Sequence, residues 1–358
     1  MGKTALMGMI AVVWAMLGAV SAQAQMQPQM QVEWQSKVNG DNPLVGRIYN
    51  AKGVEVPLVS LLRRAALTRY VLIGEQHDNP DHHVIQGQLL EQLAKIRPNM
   101  PVVLEMVPER LGEQLNLFDL NSDQQLDAYA KRLEWEERGW YTFDIYRPMV
   151  MAAIKNSLPL FPGNLDRTMT RALSKQGADA LPAARRTAYG LDQDLDAAQT
   201  ERWNTVLANS HCGMMPASAI PAMLTVQRAR DGYMASQLIE TGKRAGSALI
   251  AGNGHVRRDR GVPFVLSQLK PGIEERAVAK TADGRDIIMR VPVAHSMAIG
   301  IIEVGDGKTW ADYDLGAQDG AEPVYDYTIF TPVFDDTDQC EAMRAAMEKM
   351  KNQKKTNP

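Results

Sequence analysis

The chain has 358 residues, 45% hydrophobic and 23% charged, with a formal net charge of -3 at neutral pH. That length can bury a large core, as one large α/β domain or as a domain with a substantial insertion. A mildly acidic chain without basic runs makes nucleic acid a poor partner.

The first element read in chain order is an export signal. Lys3 gives a short positive start, Ala5 to Val20 is apolar, and Ala22-Gln23-Ala24 has the small-x-small pattern of a cleavage site. The apolar run is short for a bilayer span of roughly 20 residues, and a Gln-rich polar stretch follows it at once. These features predict a cleaved signal over residues 1–24, with 334 residues (358 minus 24) left and a charge of -4 once Lys3 is gone. No second run of spanning length follows, and no cysteine lies near the cleavage site to carry a lipid. The expected location is therefore the periplasm.

Residues 25–45 are polar and read as a flexible lead-in. Arg47 to Val56 suggests a hairpin turning at Ala51-Lys52-Gly53, and Leu58 to Ala66 a short helix. Tyr70-Val71-Leu72-Ile73-Gly74 is a continuous apolar run ending in glycine, the pattern of a strand buried on both faces. Asn79-Pro80 is a cap and first-turn pair, and Val84, Ile85, Leu89, Leu90, Leu93 and Ile96 then recur at helical spacing. Pro101 to Leu104 is a second buried strand, which completes a βαβ unit with parallel strands and a right-handed crossover.

The pattern repeats more loosely. A helix is expected over 145–157, a strand over 158–161 ending at Gly163-Asn164, and a mostly helical stretch over about 168–243. Further strands are expected at 248–251, 298–304 and 327–330, then a Lys-rich helical tail over 341–358. The predicted fold is α/β, a mainly parallel sheet flanked by helices, in one domain over 46–340 with the helical subdomain of 168–243 inserted over the sheet. Only two cysteines occur, Cys212 and Cys340. In an oxidising compartment they can pair, and the sequence leaves the disulfide and two separate thiols open.

The chemistry-bearing residues gather at strand ends. Gly74-Glu75-Gln76-His77-Asp78 follows the first buried strand, with His82 and His83 on the next helical turn. Glu105 follows the second, Asn164 and Arg167 the third, and Asn253, His255 and Arg257 the fourth. Parallel sheets bind ligands outside the carboxyl ends of their strands, so these residues are expected to share one rim. Any one of them alone reads as a loop or capping residue. Repetition at equivalent strand ends is what points to a site, because burying such groups is costly unless they pair with each other or a ligand. His82 and His83 are expected at the surface. Arg257, Arg258 and Arg260 alone read as a solvated loop, and Asp166 and Asp231 as partners of nearby arginines. His211 beside Cys212 lacks the second ligand pair that a zinc site needs.

At these residues the chain resembles the ChaN-like haem-binding uptake proteins of the Tiki superfamily. The resemblance runs through Leu72 to Asp78, Val103-Leu104-Glu105-Met106, Tyr146-Arg147-Pro148, Gly163 to Arg167, His211-Cys212-Gly213, Gln227 and Arg230-Asp231. Ala251 to Arg257 with Gly261-Val262-Pro263 is its most specific part, and Asp326 to Pro332 closes it. The resemblance implies an α/β sandwich with a smaller helical part and a role in haem or iron handling at the cell envelope. It implies haem as ligand, a homodimer that can share haem, and envelope haem or iron transport components as partners. The family is often lipid-anchored, and this chain departs from that.

Two functional readings follow, beside the plain one of an envelope protein of this fold with neither activity. A haem-binding protein needs an apolar slot, an axial ligand and cations for the propionates. Tyr233 is the axial candidate, its plain alternative being an ordinary helix tyrosine, and Arg167 and Arg257 are the cation candidates. Relatives elsewhere in the superfamily look like hydrolases. On that pattern Glu75, His77, Glu105 and His255 would be catalytic, with a divalent metal on His77 and His255 and Glu75 as general base.

Overall fold

The computed structural model describes residues 32–116, 123–244, 246–269, 273–280, 285–292, 295–316, 323–338, 340–341, 343–345 and 348. The predicted signal, the first residues of the lead-in and most of the Lys-rich tail lie outside them. No helix of the described residues is long and apolar enough to cross a membrane.

A seven-stranded sheet forms the centre. Its strands are β1 (Ile48–Asn50), β2 (Tyr70–Ile73), β3 (Val102–Pro108), β4 (Leu160–Asn164), β5 (Ser247–Ile250), β8 (Ser296–Glu303) and β9 (Tyr327–Thr331). The remaining two, β6 (Ile273–Lys280) and β7 (Asp286–Pro292), make a separate antiparallel hairpin that the sequence pattern did not reveal. In the main sheet the order is β1-β9-β8-β2-β5-β3-β4. All pairs are parallel except β1 with β9, which turns the expected parallel sheet into a mixed one at that edge. The two strands of the predicted βαβ unit are parallel but not neighbours, because β5 inserts between β2 and β3.

In chain order the helices are α1 (Leu58–Leu67), α2 (Pro80–Ile96), α3 (Asp123–Arg132), α4 (Phe143–Lys155), α5 (Arg167–Gln176), α6 (Ala183–Ala188), α7 (Ala197–Ser210), α8 (Ile220–Thr241), α9 (Asn253–Val256) and α10 (Val262–Gln268). Helices α1, α2 and α4 bury Leu61, Ile85, Leu89, Leu93, Met149 and Val150 against Val71, Ile73, Leu104 and Ile250 on one face of the sheet. Helices α8 and α10 bury Met234, Leu238, Val262 and Leu266 against Leu72, Val103 and Leu249 on the other. Alternate residues of each strand thus serve opposite cores, which is why these strands are apolar throughout. The predicted helical stretch comprises α5 to α8, and its own small core holds Leu165, Leu173, Leu181, Tyr189 and Tyr233.

The start of α2 is fixed as the sequence predicts. Asn79 Oδ1 accepts the Asp81 and His82 amides, with Pro80 in the first turn. Asp81 in turn accepts the Gln35 and Ser36 amides at 2.9 Å each, tying the lead-in to this turn.

Cys212 and Cys340 form a disulfide, with Cα atoms 5.5 Å apart across a sequence separation of 128. It ties the segment after β9 to the loop that ends α7.

Candidate functional site

Strand register builds the site. Ile73 lies opposite Ile250, and Ile250 opposite Leu104. The residues that follow these three therefore lie side by side, Glu105 still within β3, which runs on to Pro108. They are Glu75, Gly252 and Glu105, and the short helix α9 then brings in His255. Two glycines allow the close fit. A Cβ on Gly163 would lie 2.7 Å from the Leu104 backbone, so only glycine lets β4 press against β3 beside Glu105. A Cβ on Gly252 would lie 3.1 Å from His77 Cε1 and Nε2 and 3.6 Å from Glu105 Oε2, so Gly252 forms the bed on which the His77 ring rests.

Glu75 and Glu105 are both buried to 1% exposure. Glu75 Oε1 is 2.5 Å from His77 Nδ1. Its second oxygen is buried without a hydrogen-bond partner among the described residues. Glu105 is fully engaged. Arg230 Nη2 donates to Oε1 at 2.5 Å, the Gly252 amide donates to Oε2 at 2.7 Å, and His255 Nε2 lies 3.2 Å from Oε1. Burial opposes the charge on Glu105, but His255, His77 and Arg230 outweigh it and hold this carboxyl well below the usual range.

His255 spans two carboxylates. Its Nδ1 donates to Asp231 Oδ1 at 2.6 Å while Nε2 faces Glu105. Burial works against its charge, yet Glu105 and Asp231 push its pKa up to about 9. His77 behaves alike: burial opposes its charge, and Glu75 followed by Glu105 raises it to about 9. Its side chain keeps 35% exposure, so this is the histidine that meets solvent. Trp140 packs edge-on against its ring, centroids 4.9 Å apart. Its backbone carbonyl accepts from Tyr146 Oη at 3.0 Å.

Above this floor lies a cleft of about 480 Å³. Glu75, His77, Asp78, Gly252, Asn253 and His255 line its base, and Tyr141, Trp203, Val206, Leu207, Gln227 and Arg260 its walls. Of the predicted rim residues, Glu75, His77, Glu105 and His255 come together. Asn164 reaches the cluster through Arg230, whose Nε donates to Asn164 Oδ1 at 3.2 Å.

Others stand elsewhere. Arg167 is exposed at the start of α5, away from the cleft lining. Tyr233, the axial candidate, is 1% exposed in the core of the helical segment, 6.0 Å from Tyr189, and presents no open face to a ligand. Arg257 is held by Asp259. The expected metal pair is replaced by another grouping. Glu75, His77 and Glu105 place ligand atoms within 4.8 Å of one another, whereas both nitrogens of His255 already face carboxylates.

Several expectations are corrected. His82 and His83 are fully buried, not surface residues. His82 accepts the Gln76 amide at Nδ1 and meets Thr331 Oγ1 at 2.8 Å from Nε2, so it is a neutral clasp between the loop and β9. Burial drives its pKa well below the ordinary value. Asp231 pairs with His255, not with an arginine, and Arg230 beside it serves Glu105. Arg257, Arg258 and Arg260 are not a solvated loop but salt-bridged to Asp259 and Asp326. Trp203 had no sequence signal as a cleft residue, since its helix is remote in sequence from the strand ends, whereas Arg260 follows His255 by five residues but reads as part of a solvated loop.

The sequence profile of the family described as haem-binding uptake, Tiki superfamily, ChaN matches residues 61–266, more than half of the chain. The chain belongs to this ChaN family. Among solved structures it is similar to the ChaN of Campylobacter jejuni, solved for its cofacial haem binding. That likeness has a TM-score of 0.53 at 15% identity, covers 79% of this chain and 95% of that one, and is one of fold. An erythromycin esterase in its open conformation has a TM-score of 0.41 at 11% identity, covering 82% of this chain and 99% of that one. The type III effector HopBA1 has 0.39 at 14%, covering 81% and 99%. These two are too distant to bear on function. No curated protein matches the sequence.

Proposed function

We propose that this ChaN-family chain is exported to the periplasm and binds haem there, in haem or iron uptake, working with envelope transport components and as a homodimer. The cleft over the Glu75–His77 floor carries this reading. It is large, one wall is apolar and aromatic through Trp203, Val206 and Leu207, and two side chains able to meet iron are open to it. His77 has Nδ1 engaged by Glu75, which leaves Nε2 as the nitrogen able to ligate once it gives up its proton. Tyr141 is 50% exposed and also lines the cleft. These residues fit haem: Trp203, Val206 and Leu207 would cover the macrocycle, and His77 or Tyr141 would supply the axial atom. Bound haem would supply the iron that uptake delivers. Glu75 would orient the His77 ring and raise its basicity, as a carboxylate behind a ligating histidine does.

Haemin titrated into the purified chain should give a saturable Soret shift, weakened by His77→Ala or Tyr141→Phe. No saturable shift in the native chain overturns the reading. Fractionation of cells making the full chain tests location, and a product that stays cytoplasmic at full length contradicts export.

A second reading rests on the Glu75, His77 and Glu105 grouping. A divalent ion there would make the cleft a metal-dependent hydrolase, with Glu75 Oε2 as the unpartnered buried oxygen that reaches it. Metal analysis of the purified protein together with an ester and amide panel tests it. A metal-free protein that hydrolyses nothing in the panel rejects it.

A further inference from the structure

The cleft opens beside an unbalanced charge. Arg257 grips Asp259 with both arms, Nε to Oδ1 at 2.9 Å and Nη2 to Oδ2 at 3.0 Å. Arg260 Nη1 then donates to the same Oδ2 at 2.8 Å. Two guanidiniums share one carboxylate, so the trio carries a net positive charge. Its side chains are only 22%, 15% and 15% exposed. The neighbouring Arg258 is matched by Asp326 at 2.9 Å. A partly desolvated excess cation is costly unless an anion answers it.

Arg260 borders three spaces, one of them a small cavity beside Tyr189. It lines the cleft above His77, and it lines a second groove of about 770 Å³ that also takes in Arg257, Arg202 and the exposed carboxylates Glu201 and Asp314. The cleft and this groove share Val206 of α7, so they are contiguous along that helix. The Arg260 guanidinium lies over Trp203, 5.8 Å from the ring centroid, which fixes the charge at an apolar wall. At the base of the cleft the charges of His77 and His255 are already answered by Glu75, Glu105 and Asp231, so no spare cation stands there for an anion. An amphiphilic ligand with an apolar body and carboxylates at one edge therefore finds its body's wall and its carboxylates' counter-charge at the same place.

We propose that the Arg257–Asp259–Arg260 trio is the carboxylate subsite of the cleft and takes the propionates of haem. This rests on the haem-binding reading. The test compares haemin with haemin dimethyl ester, in which both carboxylates are masked, by Soret titration of the purified chain. The ester should bind on the order of tenfold more weakly, the loss expected for one charge-assisted hydrogen bond. Arg260→Gln should weaken haemin by a similar factor and leave the ester unchanged. Equal binding of haemin and ester by the native chain overturns the subsite while leaving haem binding intact, and that arm needs no variant to fold. Arg260→Gln binding haemin as the native chain does, with unchanged circular dichroism, also overturns it. If haemin itself does not bind, the haem reading falls and the subsite falls with it.

Discussion

His255 Nδ1 lies 2.6 Å from Asp231 Oδ1, and the opposite ring nitrogen lies 3.2 Å from Glu105. One buried imidazolium thus holds together two buried carboxylates from different elements, β3 and α8. Asp231→Asn keeps the shape but removes one charge. Stability should fall by about 2 kcal/mol, the range for a buried hydrogen bond to a charged group. The His255 pKa should drop from about 9 toward its ordinary value of 6.5, read by NMR titration of the ring. An unchanged His255 titration would show that Asp231 does not set its charge.

Gly252 tests the bed under His77. Its backbone, at φ -54 and ψ 146, is open to any residue, so Gly252→Ala adds no backbone strain. The new methyl would meet His77 Cε1 and Nε2 at 3.1 Å. The ring should shift off Glu75, weakening haemin binding several-fold for a stability cost of about 1 kcal/mol. Soret titration and thermal melting read the two separately. Native affinity in the variant would mean that the His77 position does not matter to binding.

Stability should peak near pH 6.5, because two pairs of histidines pull in opposite directions. His77 and His255 have raised pKa values, so their contribution is complete below 6.5 and fades as pH rises toward about 9. Burial lowers the pKa of His82 and His83, so their contribution is present above 6.5 and fades as pH falls and the unfolded chain takes up protons. Melting temperature measured against pH should fall on both sides. His82→Gln should make the acid limb shallower, with His83 and Glu105 still contributing to it, and leave the alkaline one.

The disulfide should contribute about 2–4 kcal/mol, as cross-links that close long loops do. Cys340→Ser should lower the melting point and expose the segment after β9 to protease, with the sheet still folded. The native chain should also run differently on reducing and non-reducing gels. Equal mobility and equal protease resistance would rule the cross-link out.

Much of the site is legible in the sequence because a buried parallel strand announces itself. Tyr70 to Ile73 and Val102 to Leu104 are apolar without a break, and the first polar residues after these runs, Glu75, His77 and Glu105, build the floor of the site, Glu105 from within β3. The same rule misleads when a polar residue belongs to a helix. His82 and His83 sit in a first turn that a surface helix would expose, but β9 and Tyr146 cover it, through the His82–Thr331 contact and the His83–Tyr146 ring contact at 4.0 Å. Tyr233 offers a sequence reader a phenol among polar neighbours, yet Tyr189 and Leu165 close over it.

By itself the sequence determined the buried strands and main helices of the central sheet, though not α3, α10 or the β6–β7 hairpin, and with them the α2 cap and the residues Glu75, His77, Glu105 and His255, because periodicity, caps and turn residues act over a few neighbours. Tertiary structure alone decided that β5 inserts between β2 and β3, which sets Gly252 between Glu75 and Glu105. It also decided that Asp231 faces His255, that Arg260 turns into the cleft from the loop after His255, and that Cys212 meets Cys340. Each of these depends on which elements pack together across the sheet, and long-range packing leaves no periodic trace in the residues that take part.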